Sequence, residues 1–259
     1  MDESLRRVTK IMDTKRTAIV TGASRGLGAA MAMELAAAGL KVAVNFFNSR
    51  AAAERLCQQI RAAGGMAQAF KADVRDADQV ARLVGEVRAS LGEIDTVVLN
   101  ATGHQPMPSI EEQTWQLYLD QLEYFLKSPL LLVQQVLPAM KRAKFGRIVQ
   151  IGSEVVELGN PQFATYVAAK AAQLGQTRSW ARELAPHGIT VNLVAPGWIA
   201  TERHADTKQE EFDAYVAGVP MRRMGHAADI GRAVAFLCSE GAGFVTGQKI
   251  AVNGANTLL

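Results

Sequence analysis

Cysteine is nearly absent: Cys57 and Cys238 are the only two in 259 residues. That excludes a disulfide scaffold and a cysteine-built zinc or iron–sulfur centre. The four histidines, His104, His187, His204 and His226, show no His-Glu-x-x-His or other ligand spacing, so no catalytic metal is expected. No apolar run approaches the ~18–20 residues of a membrane span. Residues 1–16 are charged and lack the apolar stretch of a secretory leader. Lys+Arg 28 against Asp+Glu 25 leaves a net charge of +3, too small over this length to call for nucleic acid or an anionic membrane. Repeats, low-complexity tracts and Pro/Gly linkers are also missing. The expectation is a soluble, cytoplasmic protein with one domain over residues 1–259, of which 1–14 form a flexible extension.

What is present is apolar material in short blocks. Hydrophobic residues make up 49% and charged residues 20%, enough to bury a large core. Apolar, often β-branched segments at residues 17–21, 41–45, 66–70, 95–99, 147–151, 190–194 and 249–252 read as strands. Helical periodicity falls between them at 26–38, 50–63, 76–91, 111–140, 165–184 and 227–237. Short buried strands alternating with helices predict an α/β fold: a doubly wound parallel sheet of about seven strands with helices on both faces. Residues 198–225 interrupt this pattern with mixed charge after a strand end. Such an insertion beside the carboxyl edge of a sheet is expected to be a substrate lid, its residues 201–218 mobile without ligand.

The first strand runs into Thr21-Gly22-Ala23-Ser24-Arg25-Gly26-Leu27-Gly28. Its glycine spacing is G-x-x-x-G-x-G, not the G-x-G-x-x-G of the common dinucleotide fingerprint, but the physics is shared. One glycine allows the tight turn, another lets backbone approach pyrophosphate, and a third permits close helix–strand packing. The helix N-terminus then offers N–H groups and partial positive charge to phosphates. Gly22, Ser24, Arg25, Gly26, Leu27 and Gly28 are therefore candidate cofactor residues.

The second strand ends in Val44-Asn45-Phe46-Phe47-Asn48-Ser49-Arg50. An NAD-selective site usually places an acid here for the ribose 2′-hydroxyl. This segment has no carboxylate; Asn45, Asn48, Ser49 and Arg50, with Arg25 from the turn, suit a 2′-phosphate. NADP(H) is the expected cofactor.

Ser153 ends a strand, and Tyr166 and Lys170 follow as Tyr-Val-Ala-Ala-Lys. The i, i+4 spacing puts phenol and ammonium on one helix face. An ammonium beside a phenol favours the phenolate, so such a tyrosine can exchange a proton with a carbonyl or alcohol oxygen. A serine hydroxyl can hydrogen-bond that oxygen and polarise it.

Taken together these motifs resemble the short-chain dehydrogenase/reductase family, most of all its 3-oxoacyl-[acyl-carrier-protein] reductase branch, over roughly residues 15–257. Further support comes from Asp73-Val74, Asn100-Ala101, Asn192-Leu-Val-Ala-Pro196-Gly197 and Thr246-Gly247-Gln248. The resemblance implies a Rossmann-type domain that transfers hydride between NADP or NAD and a carbonyl/alcohol pair, with a small-molecule or acyl-thioester substrate. It implies Tyr166 as acid/base, Lys170 holding the nicotinamide ribose and tuning the phenol, and Ser153 orienting the substrate oxygen. Asp73 and Val74 would meet the adenine, Asn100 and Ala101 would lie beside the cofactor, and Pro196, Gly197, Ile199 and Thr201 would flank the nicotinamide. It also implies dimers through the two central helices, paired into a homotetramer. Oxidation of a sugar, polyol or other secondary alcohol remains open, as does a weakly catalytic NADP-binding scaffold.

Three departures stand out. Asn100-Ala101-Thr102-Gly103 replaces the usual Asn-Asn-Ala-Gly, and Val252-Asn253-Gly254-Ala255 replaces Val-Asp-Gly-Gly. In the central helix, the family's asparagine, whose kinked backbone holds a relay water for Lys170, aligns with Phe125. Pro129 lies four residues on and has no N–H for the Phe125 carbonyl; either this offers a backbone route to the same kink, or Pro129 only bends the helix around the core and the relay is impaired. Glu154 beside Ser153 is either a supporting contact or a solvated carboxylate, and His104 and His204 are either loop residues or substrate contacts. Trp198, next to Pro196-Gly197, is expected to wall the pocket.

Overall fold

The computed structural model describes residues 16–258; the expected N-terminal extension, residues 1–14, lies outside them. Seven strands form one sheet: β1 Thr17–Val20, β2 Lys41–Phe46, β3 Met66–Lys71, β4 Ile94–Leu99, β5 Gly146–Ile151, β6 Ile189–Pro196 and β7 Lys249–Val252. Every neighbouring pair is parallel, in the order β3-β2-β1-β4-β5-β6-β7. The order reverses between β1 and β4, which opens a crevice at their carboxyl ends.

Both faces of the sheet are covered, and strand alternation decides which residue goes where. Ala18 and Val20 of β1 point into one apolar layer, closed by helices α1 (Gly26–Ala37), α2 (Arg50–Ala62) and, late in the chain, a helix over Ala227–Cys238. Ile19 points the other way, into a layer closed by α3 (Ala77–Leu91) and two later helices. A fully buried isoleucine of this kind stabilises the fold by roughly 1.5–3 kcal/mol. The Asp76 carboxylate caps α3 by accepting from the Asp78 and Gln79 amides, which would otherwise lack partners in the first turn.

The long helix expected over residues 111–140 is instead broken. A 3-10 turn, Ile110–Glu112, precedes α4 (Trp115–Leu122); a π turn over Glu123–Lys127 follows, and then α5 (Ser128–Ala143). Thr114 starts α4 by accepting from the Leu117 amide. Pro129 cannot donate to the Phe125 carbonyl, so a regular α-turn is not available at this point. The ladder opens by one residue, with the Ser128 amide donating to the Glu123 carbonyl.

Three helices complete the frame: the short α6 (Val155–Leu158), α7 (Ala164–Leu184) and α8 (Gln209–Gly218), before α9 (Ala227–Cys238). No helix among the described residues is long and apolar enough to cross a membrane.

Candidate active site

The glycine turn is held from behind by β4. Gly22 has φ +61°, and a Cβ there would stand 2.9 Å from the Ala101 Cα. At Gly28 a Cβ would fall 2.5 Å from the Gly22 carbonyl oxygen and 2.7 Å from Asn100 Nδ2. Only hydrogen fits at either place. Asn100 Nδ2 donates to the carbonyls of Thr21 and Gly22 at 2.8 and 3.2 Å, while Thr21 Oγ1 accepts from the amides of Asn100 and Ala101. Asn100 thus braces the turn. Ser24 and Leu27 are half-buried on the same turn, and Arg25 is exposed at the start of α1. The tight, open-mouthed backbone at a helix N-terminus fits a pyrophosphate.

Asn45 departs from the expected direct cofactor contact. It is 2% exposed; its Oδ1 accepts from the Gly22 amide and its Nδ2 donates to the Ala72 carbonyl. Its amide ties the turn to β3 from within, because the alternation of β2 points it inward. Asn48 and Arg50 stay exposed and Ser49 is half-buried. Arg50 pairs with Glu54 at 3.3 Å, an exposed i, i+4 bridge. Val74 is buried in the layer below, and Asp73 beside it is clamped by Arg75 at 2.7 Å. The Arg75 hydrogen bond holds the Asp73 carboxyl below the usual carboxylate range. The Arg75 guanidinium also lies 4.7 Å from the Tyr124 ring centroid, linking this wall to the π turn. Sequence reasoning misses Arg75, although an opposite charge two residues from Asp73 is the available signal.

The candidate trio Ser153, Tyr166 and Lys170 lies at the carboxyl end of β5. Ser153 Oγ accepts from the Val155 amide at 3.3 Å, so its own O–H remains available to donate. Tyr166 and Lys170 lie on the inner face of α7 and are both buried. Lys170 Nζ donates to the Ile151 carbonyl at 2.6 Å and sits 5.5 Å from the Tyr166 ring centroid. Phe163 and Phe125 flank the tyrosine ring, at centroid distances of 4.8 and 5.5 Å.

Across the crevice, β6 delivers Pro196 and Gly197 to the same edge. Ile199 is buried and bridges Gly225. Thr201 contacts His204 Nδ1 through its amide and hydroxyl, which gives His204 a role in starting a 3-10 turn over Glu202–His204. The His104 side chain is exposed, while its carbonyl accepts from Gln121.

Trp198 packs on Phe212 and Tyr215 of α8, so it anchors the insertion to the sheet edge. Glu154 is a supporting contact, not a solvated carboxylate: it is 2% exposed. Tyr215 Oη donates to Glu154 Oε1 at 2.7 Å and Asn253 Nδ2 to Oε2 at 3.0 Å, while Tyr215 Oη accepts from the Trp198 amide. An aspartate at 253 would face Glu154 with like charge; asparagine supplies a donor instead. Burial, and then the Glu154 bond, push the Tyr215 phenol well above its ordinary value. A cavity of about 630 Å³ behind α8 is lined by Trp198, Tyr215, Arg223, Arg232 and Asn253 among others; Ser153, Tyr166 and Lys170 do not line it.

A family model described as enoyl-(acyl carrier protein) reductase matches residues 22–256. The 3-oxoacyl-[acyl-carrier-protein] reductase FabG of Staphylococcus aureus is 40% identical over 245 residues, covering 94% of this chain and 98% of its own. Its Escherichia coli namesake is 38% identical over 241 residues, 92% of this chain and 96% of its own. Among solved structures, a putative gluconate dehydrogenase from Agrobacterium tumefaciens superposes with a TM-score of 0.88 at 30% identity, covering 94% of this chain and 97% of the other. With the glycine turn, the Ser153–Tyr166–Lys170 trio and the seven-stranded sheet in place, this chain belongs to the short-chain dehydrogenase/reductase family and is an oxidoreductase that uses a nicotinamide cofactor.

Proposed function

We propose that the protein is an NADP(H)-dependent reductase of 3-oxoacyl thioesters. The observation that carries the chemistry is the buried Tyr166–Lys170 pair anchored to the Ile151 carbonyl beside Ser153. The acyl-thioester assignment draws on the 40% identity to a relative of that name.

When bound, the nicotinamide supplies or accepts the hydride at the substrate carbon. Tyr166 donates its phenolic proton to the carbonyl oxygen during reduction and takes it back during alcohol oxidation. Ser153 donates its O–H to the same oxygen, favouring charge that develops there. Lys170 keeps a positive charge beside the phenol. Gly22, Ser24, Gly26, Leu27 and Gly28 would cradle the pyrophosphate, with Asp73, Val74 and Ala101 along the adenine side and Pro196, Gly197, Ile199 and Thr201 beside the nicotinamide. Arg25, Asn48, Ser49 and Arg50 would meet the 2′-phosphate; Arg50 would then exchange its exposed Glu54 partner for it.

Residues 198–225 act as the lid over the substrate. Assembly is a homotetramer in the cytoplasm. Trp115, 67% exposed, and Leu119 and Leu130 leave apolar surface on α4 and α5, and Ala168 and Ala171 present small side chains on α7. Light scattering should give four times the mass of the chain; a monomer at micromolar concentration would overturn the assembly.

The deciding assay follows NADPH absorbance with an acetoacetyl thioester beside gluconate, simple sugars and polyols. Turnover of the thioester with NADPH, far above NADH, is the expected result. Turnover of the sugar acid alone would move the enzyme to alcohol oxidation, the activity named for its Agrobacterium neighbour. NADPH binding without turnover of any compound would leave a scaffold.

A further inference from the structure

We propose that Phe125 is a positioning residue for Lys170, holding its ammonium against the ring face by a cation–π contact. Lys170 Nζ lies 3.7 Å from the Phe125 ring centroid. That distance leaves no room for a water between them. The ring is 1% exposed and the lysine 5%, so the ammonium is removed from bulk solvent. A desolvated ammonium needs replacement partners. The Ile151 carbonyl is one, at 2.6 Å; the negative face of the phenyl ring is the second.

These contacts come from different elements, β5 and the π turn, and so hold the lysine from two directions. The same ring meets Tyr166 at 76° with centroids 5.5 Å apart. One apolar side chain therefore touches both members of the proton-transferring pair. An aliphatic residue of similar size would fill the volume and offer the ammonium no negative face. In the position where the resemblance expects an asparagine to act through its backbone, this chain uses the side chain itself.

The π turn is what brings the ring there. In an α-helix each residue advances about 100° around the axis. One residue inserted in the ladder rotates the side chains before it relative to α5. Phe125 lies inside that insertion, and its orientation toward α7 depends on it.

The test replaces Phe125 with 4-fluoro-, 3,5-difluoro- and 3,4,5-trifluorophenylalanine, which drain the ring face of charge while nearly keeping its shape. The kinetic arm rests on the reductase reading. Here kcat for thioester reduction should fall stepwise with fluorine number, by roughly tenfold at the trifluoro ring. Phe125→Leu, which fills the volume without a ring face, should fall at least as far as the trifluoro variant.

A second arm needs no substrate. The Tm of the fluorinated series is measured with Lys170 and again in Lys170→Met. Fluorination should lower Tm only where the ammonium is present. A flat series, or the same slope in both backgrounds, would overturn the contact. A Tm trend with unchanged kcat would overturn the positioning role. If the wild-type protein turns over no thioester or alcohol, the reductase reading fails while the Tm series still decides the contact.

Discussion

At the carboxyl end of β1 the cofactor cradle is made of backbone. Gly22 and Gly28 admit no Cβ, and the side chains that matter, Thr21, Asn45 and Asn100, point inward to hold the main chain in shape. At the carboxyl end of β5 the relation is reversed. The strand ends, and a knot of side chains from five segments does the work: Ser153 and Glu154, Tyr166 and Lys170, Phe125, Tyr215, and Asn253. A backbone cradle is defined by turn geometry and tolerates changes around its rim. A side-chain knot is sensitive where a member is the partner of a buried polar group, as Tyr215 and Asn253 are for Glu154 and Lys170 is for the Ile151 carbonyl.

The largest separation between the two regions should come from Tyr166→Phe. The phenyl ring keeps its contacts with Phe125 and Phe163 and loses only the proton carrier. Turnover should drop ~10²–10⁴-fold, with NADPH affinity by fluorescence titration nearly unchanged. Normal turnover on the true substrate would mean that the proton comes from elsewhere.

Tyr215→Phe should come next. It strips the Glu154 carboxylate of its 2.7 Å donor in a buried setting, which costs about 1–3 kcal/mol for an unsatisfied group. The raised Tyr215 phenol stays protonated through neutral and mildly alkaline pH, so the tyrosine remains a donor there. The loss should appear as a lower Tm and as faster hydrogen exchange across residues 209–218. Exchange in the variant as slow as in wild type would show that the Trp198 cluster alone holds α8.

How much of this contrast is legible in the chain depends on which material is used. Strand–helix alternation and the glycine turn are local patterns, and the seven strands and the cradle lie where those patterns put them, with ends shifted by one or two residues. The Tyr166–Lys170 pair is legible because four residues on a helix is also a local relation. Asn45 reads as a cofactor contact because sequence shows position on a strand and not which neighbour consumes an amide. The Glu154–Tyr215–Asn253 link joins residues 61 and 99 positions apart, and no local period encodes it. The break in the central helix is visible in Pro129, yet the side chain presented by that break is not.

A milder effect is expected at the rim of the cradle. Arg25 is exposed, and Arg50 has an exposed bridge to Glu54 and the Phe46 ring beneath its guanidinium, so Arg25→Ala and Arg50→Ala should each weaken NADPH binding by about tenfold or less, the scale of one charge-assisted contact near solvent. NADH binding should change little, and kcat at saturating cofactor should hold. Equal kcat/KM for both cofactors in the wild type, unaffected by Arg25→Ala, would remove the 2′-phosphate reading and leave the rim without selectivity.

The smallest effect, and the one that joins the two kinds of construction, is expected from Pro129→Ala. Alanine restores the N–H that the Phe125 carbonyl lacks as a partner, and it favours an α-helix by about 3 kcal/mol over proline in a regular interior. That gain pulls the π turn toward α geometry. Packing pulls the other way, since Phe125 is buried against Tyr166 and Lys170 and the α5 residues Leu132 and Val136 are locked in the layer under β4. Rotating the ring away would leave the ammonium with one fewer partner and open a void beside the tyrosine. Packing should therefore hold most of the π turn, and kcat should fall only a few-fold, with NADPH affinity near that of the wild type. A crystal structure of the variant would show whether the amide restored at position 129 reaches the Phe125 carbonyl. If that bond forms, the ring leaves Lys170 and kcat is undiminished, neither the opened ladder nor the ring it presents serves proton transfer, and the π turn is a packing accident around Pro129.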